Sequence, residues 1–186
     1  VSNIDGSVQY YTVRPAKPSS EEGSEKGLVM FLHGANTEAK ELAANFQAKI
    51  WAHVVLPTNR RPFGFDWEDW GRLDALEVLA DAREKYKTDP LRDVLAGHSM
   101  GGHGAWHLGV TFPDKFAAIA PSAGWFSFWS YGGMAKFDKP GPVENLLMRG
   151  TNPSDTLKLK RNLLQSGVYI LHGDADEEVP VGQARF

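Results

Sequence analysis

The chain has 186 residues, enough for one domain with a sizeable core, and we expect a single domain over residues 1–186. Apolar residues make up 42% and charged residues 23%, with a net charge of −3, so neither nucleic acid nor an anionic membrane is indicated as a partner. The absence of cysteine excludes disulfides, thiolate catalysis and cysteine-based metal sites, and no apolar run approaches the ~18 residues of a membrane span.

Short apolar runs along the chain predict β-strands. The first run is rich in β-branched and aromatic residues and ends before Pro15, which is typical of an edge strand. The later runs are continuous, as expected for strands that are covered on both faces in a parallel sheet. The predicted strands span residues 9–13, 28–32, 52–56, 94–96, 116–120 and 168–171.

Helices are predicted between most of these strands. In the longest one, Leu73, Leu76 and Leu79 recur on one face, and Asn36 or Thr37 is the expected cap of the first one. The alternation predicts a doubly wound, mostly parallel sheet with helices on both faces, in which ligands bind beyond the carboxyl ends of the strands. The predicted helices span residues 37–50, 69–86, 105–112, 143–149 and 155–165, and polar or glycine-rich loops are predicted at 17–26 and 132–141.

A serine framed by glycines follows the strand predicted at 94–96. Gly97-His-Ser-Met-Gly101 has the G-x-S-x-G pattern, which becomes specific when a strand precedes it and a helix follows. Glycine tolerates the close backbone approach of such a turn, and the turn presents the Ser99 hydroxyl at a helix N-terminus. A flexible turn is the alternative interpretation, but the flanking elements favour Ser99 as a nucleophile.

This region resembles the α/β-hydrolase superfamily, and within it the prolyl-oligopeptidase-like and esterase branch. The resemblance rests on residues 97–125 and extends from about Leu28 to Val181. It implies an α/β-hydrolase fold and serine hydrolysis, whereas it carries little information about the substrate.

His33-Gly34-Ala35-Asn36 lies between a predicted strand and a predicted helix. A serine that attacks a carbonyl generates an oxyanion, which needs N–H donors already in place. The superfamily takes one donor from a residue just after this His-Gly pair and the other from the residue after the serine. The resemblance therefore implies Ala35 and Met100 as oxyanion donors, with a plain strand-to-helix turn at Gly34 as the alternative.

The loop from His172 to Pro180 follows the last predicted strand and resembles the acid loop of esterases and oligopeptidases. Asp176 takes the acid position, where it would orient the catalytic imidazole and stabilise its charged form, and Asp174 is the second candidate. Clustered carboxylates usually mark a solvated loop, but the position after a strand and the order Ser before Asp favour a functional one.

The histidine of the triad is missing from its expected place. In this fold the histidine follows the acid, yet residues 177–186 contain none. We therefore expect the chain to stop before the last strand and helix of the fold, which would carry it, and to expose a sheet edge that invites self-association. All of the histidines precede the acid: His33, His53, His98, His103, His107 and His172.

Two of these histidines have the spacing of a metal pair. His103 and His107 lie at i and i+4, but the Glu of H-E-x-x-H and a third ligand are both missing. Packing on a helix is the expected role, and the sequence predicts neither a metal nor a cofactor.

Aromatic residues gather in two loops that follow predicted strands. Phe63 lies in one of these loops and Trp125 in the other, and both are predicted to line a substrate pocket. Such a pocket would hold an aryl group, a proline ring or a sugar face, whereas core packing is the alternative for some of these rings.

The predicted function is that of a serine hydrolase that acts through an acyl-enzyme on carboxylic esters, including aryl or carbohydrate esters. Short peptides are the alternative substrate, and a non-catalytic binding module is the alternative function, which the missing histidine supports. Without that imidazole, we expect the 186-residue chain to hydrolyse p-nitrophenyl acetate little better than a Ser99→Ala variant.

Overall fold

The computed structural model describes residues 1–18, 25–61, 63–131 and 137–185. Residues 19–24 and 132–136, which belong to two of the predicted loops, therefore lie outside the described part. The strands of the described part are β1 Thr12–Arg14, β2 Gly27–Leu32, β3 Ala52–Leu56, β4 Val94–His98, β5 Ala118–Ser122 and β6 Gly167–Val168. Its helices are α1 Ala39–Ala44, α2 Asp69–Tyr86, α3 Met100–Thr111, α4 Pro142–Gly150 and α5 Thr156–Leu159.

The strands pair in the order β1-β3-β2-β4-β5-β6. β1 runs antiparallel to β3 at one edge, and every other pair is parallel. Because parallel strands share the direction of their carboxyl ends, the loops after β2, β4, β5 and β6 leave from the same edge. The register brings Leu32 beside Gly97 and His98 beside Ser122, and a single bridge joins Ser122 to Leu171.

Two apolar clusters cover opposite faces of the sheet. Alternate residues of β2 point to opposite sides: Leu28, Met30 and Leu32 are fully buried in the larger cluster with α2 and α3. Phe31 packs on the other side with α1, so the sheet is covered on both faces there. Burying a side chain of this size contributes about 2 kcal/mol, which makes the β2 alternation a main determinant of the fold. The predicted mostly parallel sheet with helices on both faces is confirmed.

Several predicted elements differ in extent from the observed ones, and three of them show why. The helix predicted at 37–50 is limited to Ala39–Ala44, because carbonyls beyond it accept other hydrogen bonds, such as that of Lys49 from the Lys17 amide. The helix predicted from Ala105 begins at Met100, since close packing overrides the low helix propensity of its glycines. At the last strand, the ladder covers only Gly167–Val168.

The guanidinium of Arg60 ties the loop after β3 to the N-terminal residues. Its Nε lies 3.1 Å from the buried carboxylate of Asp74 on α2, and one Nη lies 3.4 Å from Glu77. The other Nη lies 3.5 Å from Asp5, and the Ser2 hydroxyl also accepts a hydrogen bond from the group. Several polar partners thereby fix the start of the chain against α2.

No helix in the described ranges has both the length and the apolar character needed to cross a membrane. Among the same residues, no three His, Asp or Glu side chains cluster in a way that could hold a metal ion.

Candidate active site

Ser99 lies at the sharp turn between β4 and α3. Its backbone has φ 56° and ψ −120°, in the left-handed half of conformational space that a non-glycine residue rarely occupies. The Ser99 amide donates to the carbonyl of Ser122 on β5 at 2.9 Å, which holds the strained turn on the sheet. The residue is half-buried, and no hydrogen-bond partner of its hydroxyl lies within the described residues.

The glycines on either side of Ser99 are required by close packing. A Cβ at Gly97 would lie 2.0 Å from the carbonyl oxygen of Gly101, and a Cβ at Gly101 would lie 1.9 Å from that of Leu32. Real atoms do not approach so closely, so any side chain at these positions would push α3 away from the sheet. The glycines of the motif thus let the helix begin directly over the ends of β2 and β4.

The loop after β2 lies directly against the serine turn. A Cβ at Gly34 would be 3.4 Å from the Cβ of Ser99, so the two backbones are in near contact. The loop is held at its first residue, because the carbonyl of the fully buried His33 accepts a hydrogen bond from Trp67 Nε1 at 3.0 Å. The amides of Ala35 and Met100 have no acceptor within the described part of the chain, so both N–H groups are available to an anion.

Asp176 is oriented by its own loop. Its Oδ1 accepts hydrogen bonds from the amides of Val179 at 2.9 Å and Glu178 at 3.0 Å, and Oδ2 lies 3.6 Å from Nε2 of His172. The hydrogen bond from Val179, assisted by that from Glu178, holds the pKa of the Asp176 carboxyl below its usual range despite partial burial. Asp174, the second candidate, is exposed and has no such contacts among the described residues.

None of the histidine rings hydrogen-bonds to Ser99 within the residues described. His98 turns its Nδ1 to the Ser122 hydroxyl at 3.1 Å, and His172 contacts the Val179 carbonyl at 2.7 Å. His53 accepts from the Ala16 amide at 3.2 Å, far along the sheet from Ser99. The remaining three rings are buried: His33, His103 and His107.

The two predicted pocket aromatics have different surroundings. Trp125 is only 5% exposed, and its ring stacks between His103 at 4.9 Å and Tyr131 at 4.5 Å. This stacking is the environment of a packed ring, and a contact between Trp125 and the substrate stays a prediction. Phe63 is 60% exposed, in the loop after β3, so it can meet a ligand from solvent.

A small cavity lies beside these aromatic residues. It has a volume of about 130 Å³ and is lined by Glu68, Phe128, Trp129, Thr151 and Ser154. A larger cavity of about 330 Å³ lies between the N-terminal residues and α2, and the loops that hold Ser99, Ala35 and Asp176 do not contribute to its wall.

The sequence analysis did not identify a buried polar contact between α3 and the loop before α2. His103 is fully buried and contacts both Glu68, at 2.9 Å, and the carbonyl of Trp125, at 3.0 Å. The i, i+4 histidine spacing drew attention to His103, but nothing in the sequence marked Glu68, which precedes α2 and lies 35 residues away.

Comparisons with known proteins identify the family of the chain. The family model described as "Esterase: Putative esterase" matches residues 11–180. A 2-hydroxy-6-oxononadienedioate/2-hydroxy-6-oxononatrienedioate hydrolase of Paraburkholderia phymatum is 26% identical over 161 residues, which cover 81% of this chain and 52% of that protein. The chain spans 21% of another curated relative, so it covers about half or less of the relatives' length.

Solved structures show the same fold. The chain is similar to the substrate-bound fluorophosphonate-binding serine hydrolase F of Staphylococcus aureus, with 20% identity, a TM-score of 0.58, and coverage of 89% of this chain and 73% of that one. A puromycin-hydrolyzing peptidase of Mycobacterium tuberculosis has 20% identity and a TM-score of 0.69, covering 94% of this chain and 30% of that one. The chain has the α/β-hydrolase fold of these structures, and the family match over most of its length shows that it belongs to the esterase family.

Proposed function

We propose that the protein is a serine hydrolase of carboxylic esters in which Ser99 forms an acyl-enzyme. The single observation that carries the proposal is the position of Ser99, at a φ of 56° on a strand-to-helix turn, beside the amides of Ala35 and Met100, which have no acceptor among the described residues. A serine held in this strained conformation needs a reason outside folding, because a glycine would occupy the turn at lower cost.

In the proposed reaction, Ser99 Oγ attacks the carbonyl carbon of the ester and its proton passes to a general base. The amides of Ala35 and Met100 would donate to the oxyanion, a contribution that is typically worth about 3 kcal/mol of barrier for each donor. Collapse of the tetrahedral species expels the alcohol, which takes up the proton, and leaves an acyl group on Oγ. Water then attacks that ester, which releases the acid and restores the serine.

We assign the acid of the proposed reaction but leave its general base unassigned. Asp176 is proposed as the acid, since its carboxylate is fixed by two amide donors, whereas Asp174 is exposed. Its free oxygen is then available to the Nδ1–H of an imidazole, which it would hold in one tautomer. No ring nitrogen in the described residues contacts Ser99, so we do not assign the base to any of the six histidines.

The substrate class rests on the site and on the relatives. The family match favours an ester as the substrate, and the hydrolase from Paraburkholderia phymatum is named for a small organic compound, so we propose small organic esters or related acyl compounds. The exposed ring of Phe63 lies in a loop at the carboxyl edge of the sheet, where it would contact an aryl group of the ester. Short peptides are the alternative acyl donor, because the same chemistry cleaves an amide.

The proposal is tested by trapping the acyl-enzyme. The wild-type chain, Ser99→Ala and Ser122→Ala are incubated with a fluorophosphonate probe and with p-nitrophenyl acetate, and the modified residue is identified by peptide mass spectrometry. Ser122 is a matched control, because it lies beside Ser99 and its hydroxyl contacts His98. We expect slow modification at Ser99 that persists in Ser122→Ala and disappears in Ser99→Ala. Modification that is independent of Ser99, or none at all, would refute the proposed nucleophile and favour a binding module.

A further inference from the structure

His103 occupies a position in which each ring nitrogen faces a hydrogen-bond acceptor. Nδ1 lies 3.0 Å from the carbonyl oxygen of Trp125, and Nε2 lies 2.9 Å from Oε1 of Glu68. A carbonyl oxygen and a carboxylate oxygen can only accept, so both contacts are hydrogen bonds only if both nitrogens carry a hydrogen. A neutral imidazole carries one, whereas an imidazolium carries two and satisfies both acceptors.

The surroundings assign the negative charge to Glu68. Burial alone would raise the pKa of the Glu68 carboxyl, but hydrogen bonds from His103 and from the Ser154 hydroxyl, at 2.5 Å, outweigh it and hold that pKa below its ordinary value. With Glu68 as a carboxylate, both contacts of the ring are hydrogen bonds only when the imidazole carries both protons. The Trp125 indole lies parallel to the imidazole, with the ring centroids 4.9 Å apart and an interplanar angle of 8°, and its face also favours a cation.

Another buried histidine shows why the carboxylate matters. His33 also faces two backbone oxygens, of Gly34 at 2.9 Å and of Thr58 at 3.0 Å, but no carboxylate contacts its ring among the described residues. A second proton on His33 would be a buried charge without a counter-ion, which costs several kcal/mol. His103 differs because Glu68 supplies the compensating charge.

The ion pair connects α3 to the loop before α2, and through that loop to the loop after β2 that holds Ala35. His103 belongs to the first turn of α3, where its amide donates to the Ser99 carbonyl at 3.1 Å. Its partner Glu68 directly follows Trp67, whose indole N–H donates to the His33 carbonyl, two residues before Ala35. Trp67 is also seated on α3, since a Cβ at Gly104 would lie 2.6 Å from the Trp67 Cβ.

We propose that His103 is a positioning residue that, as an imidazolium held between Glu68 and the Trp125 carbonyl, keeps the loops after β3 and β5 in place and so aligns the Ala35 and Met100 amides over Ser99. The inference rests on the proposed function for its catalytic meaning, whereas the protonation of the ring and the placement of the amides do not depend on catalysis. Neither His103 nor Glu68 touches the reacting atoms in this scheme, because they act through the backbone of the loops that they hold.

Nuclear magnetic resonance of the ¹⁵N-histidine-labelled chain tests the protonation state. The resonances of His103 are assigned by their loss in His103→Gln. We expect two ring N–H signals for His103 at pH 7 and one for His107, a buried ring on the same helix without hydrogen-bond partners in the described residues. A single ring N–H signal for His103 would overturn the inference.

Variants at the two ends of the pair test the positioning role. In Glu68→Gln the carboxamide can still accept from Ser154 and donate to a neutral His103 ring, so the ring should keep one N–H while the Ala35 and Met100 amide shifts stay close to wild type. Glu68→Ala removes the contact, and we expect both amide signals to move. His107→Gln is the matched control, and we expect it to leave both amides unchanged. Equal changes in Glu68→Ala and His107→Gln would reduce His103 to a packing residue.

The rate of fluorophosphonate modification links the pair to Ser99. We expect Glu68→Ala and His103→Gln to slow the modification at least about tenfold, Glu68→Gln to retain most of it, and His107→Gln to retain all of it. If wild-type Ser99 is not modified at all, the proposed function fails, while the ring signals and the amide shifts still decide the inference about His103. Unchanged rates in folded Glu68→Ala would refute the positioning role.

Discussion

His107 makes the stability of the protein sensitive to mild acid. The ring is 1% exposed in α3, and neither nitrogen has a hydrogen-bond partner among the described residues. Burial lowers the pKa of the His107 imidazole from 6.5 to about 4, so the ring is neutral in the folded protein at pH 7. The unfolded chain binds a proton near pH 6.5 that the folded chain cannot bind until about pH 4, and acid therefore favours unfolding.

The size of the effect follows from the two pKa values. Relative to pH 7 and above, the preferential protonation of the unfolded chain at His107 lowers the free energy of unfolding by about 2 kcal/mol at pH 5 and about 3 kcal/mol at pH 4. This is a large part of the roughly 5–15 kcal/mol that stabilises a typical domain. Below pH 4 the contribution becomes constant, because both states then carry the proton.

The measurement compares urea denaturation of wild type and His107→Leu at several pH values from 7.5 to 4. Leucine keeps the apolar volume of the site but does not titrate, while Asp176, which His107 does not contact, titrates in both proteins and so cancels in the difference. The absolute stabilities of the two proteins are free to differ. We expect the free energy of unfolding to fall by about 3 kcal/mol more in wild type than in His107→Leu between pH 7.5 and pH 4. Parallel stability curves over this range would show that the buried ring is not the source of acid sensitivity.

Three further predictions concern the turn, the acid loop and the sheet edge. Gly97→Ala should lower the free energy of unfolding in urea by about 3 kcal/mol, since its Cβ meets a carbonyl of α3, whereas Gly150→Ala, which has open space, should have no such effect; equal stabilities would contradict the packing argument. Asp176→Ala should speed hydrogen exchange at the Glu178 and Val179 amides, which donate to its carboxylate, and Asp174→Ala should not. Equal exchange rates in the two variants would leave Asp176 without an ordering role. We also propose that the chain self-associates through the sheet edge formed by β6 and the residues just after it. Ile170→Lys, at a residue 41% exposed, should then lower the mass in sedimentation equilibrium, and an unchanged mass would remove this edge as the interface.

The sequence was sufficient for the elements that local pattern determines. The predicted bounds of α2 and β3 agree with the structure, because one has a sustained helical period and the other is a short apolar run before a proline. The turn at Ser99 was also predictable, since the G-x-S-x-G pattern requires glycine where the backbone of α3 approaches β4.

Other features depended on contacts between distant residues. The apolar character of Trp125 suits both a pocket wall and a core position, and its stacking on His103 and Tyr131 could not be read from the sequence. The pairing of Glu68 with His103 joins residues 35 apart, and a single glutamate before a helix carries no local signal of a buried partner. The early start of α3 is a tertiary effect as well, because three glycines in its first turns argue locally against a helix.

The Arg60 cluster has a consequence for how the sequence can change over time. The guanidinium distributes its hydrogen bonds and ion pairs over several partners, of which Asp74 is buried while Asp5 and Glu77 are partly open to solvent. Replacing either of the open partners leaves the others in place, and water can fill the vacancy. Replacing Asp74 leaves a nearly buried cation beside an unfilled space. The partners of Arg60 that are partly open to solvent are therefore redundant, whereas its buried partner is not. We expect substitutions to be tolerated in the N-terminal residues, and positions 60 and 74 to change only together.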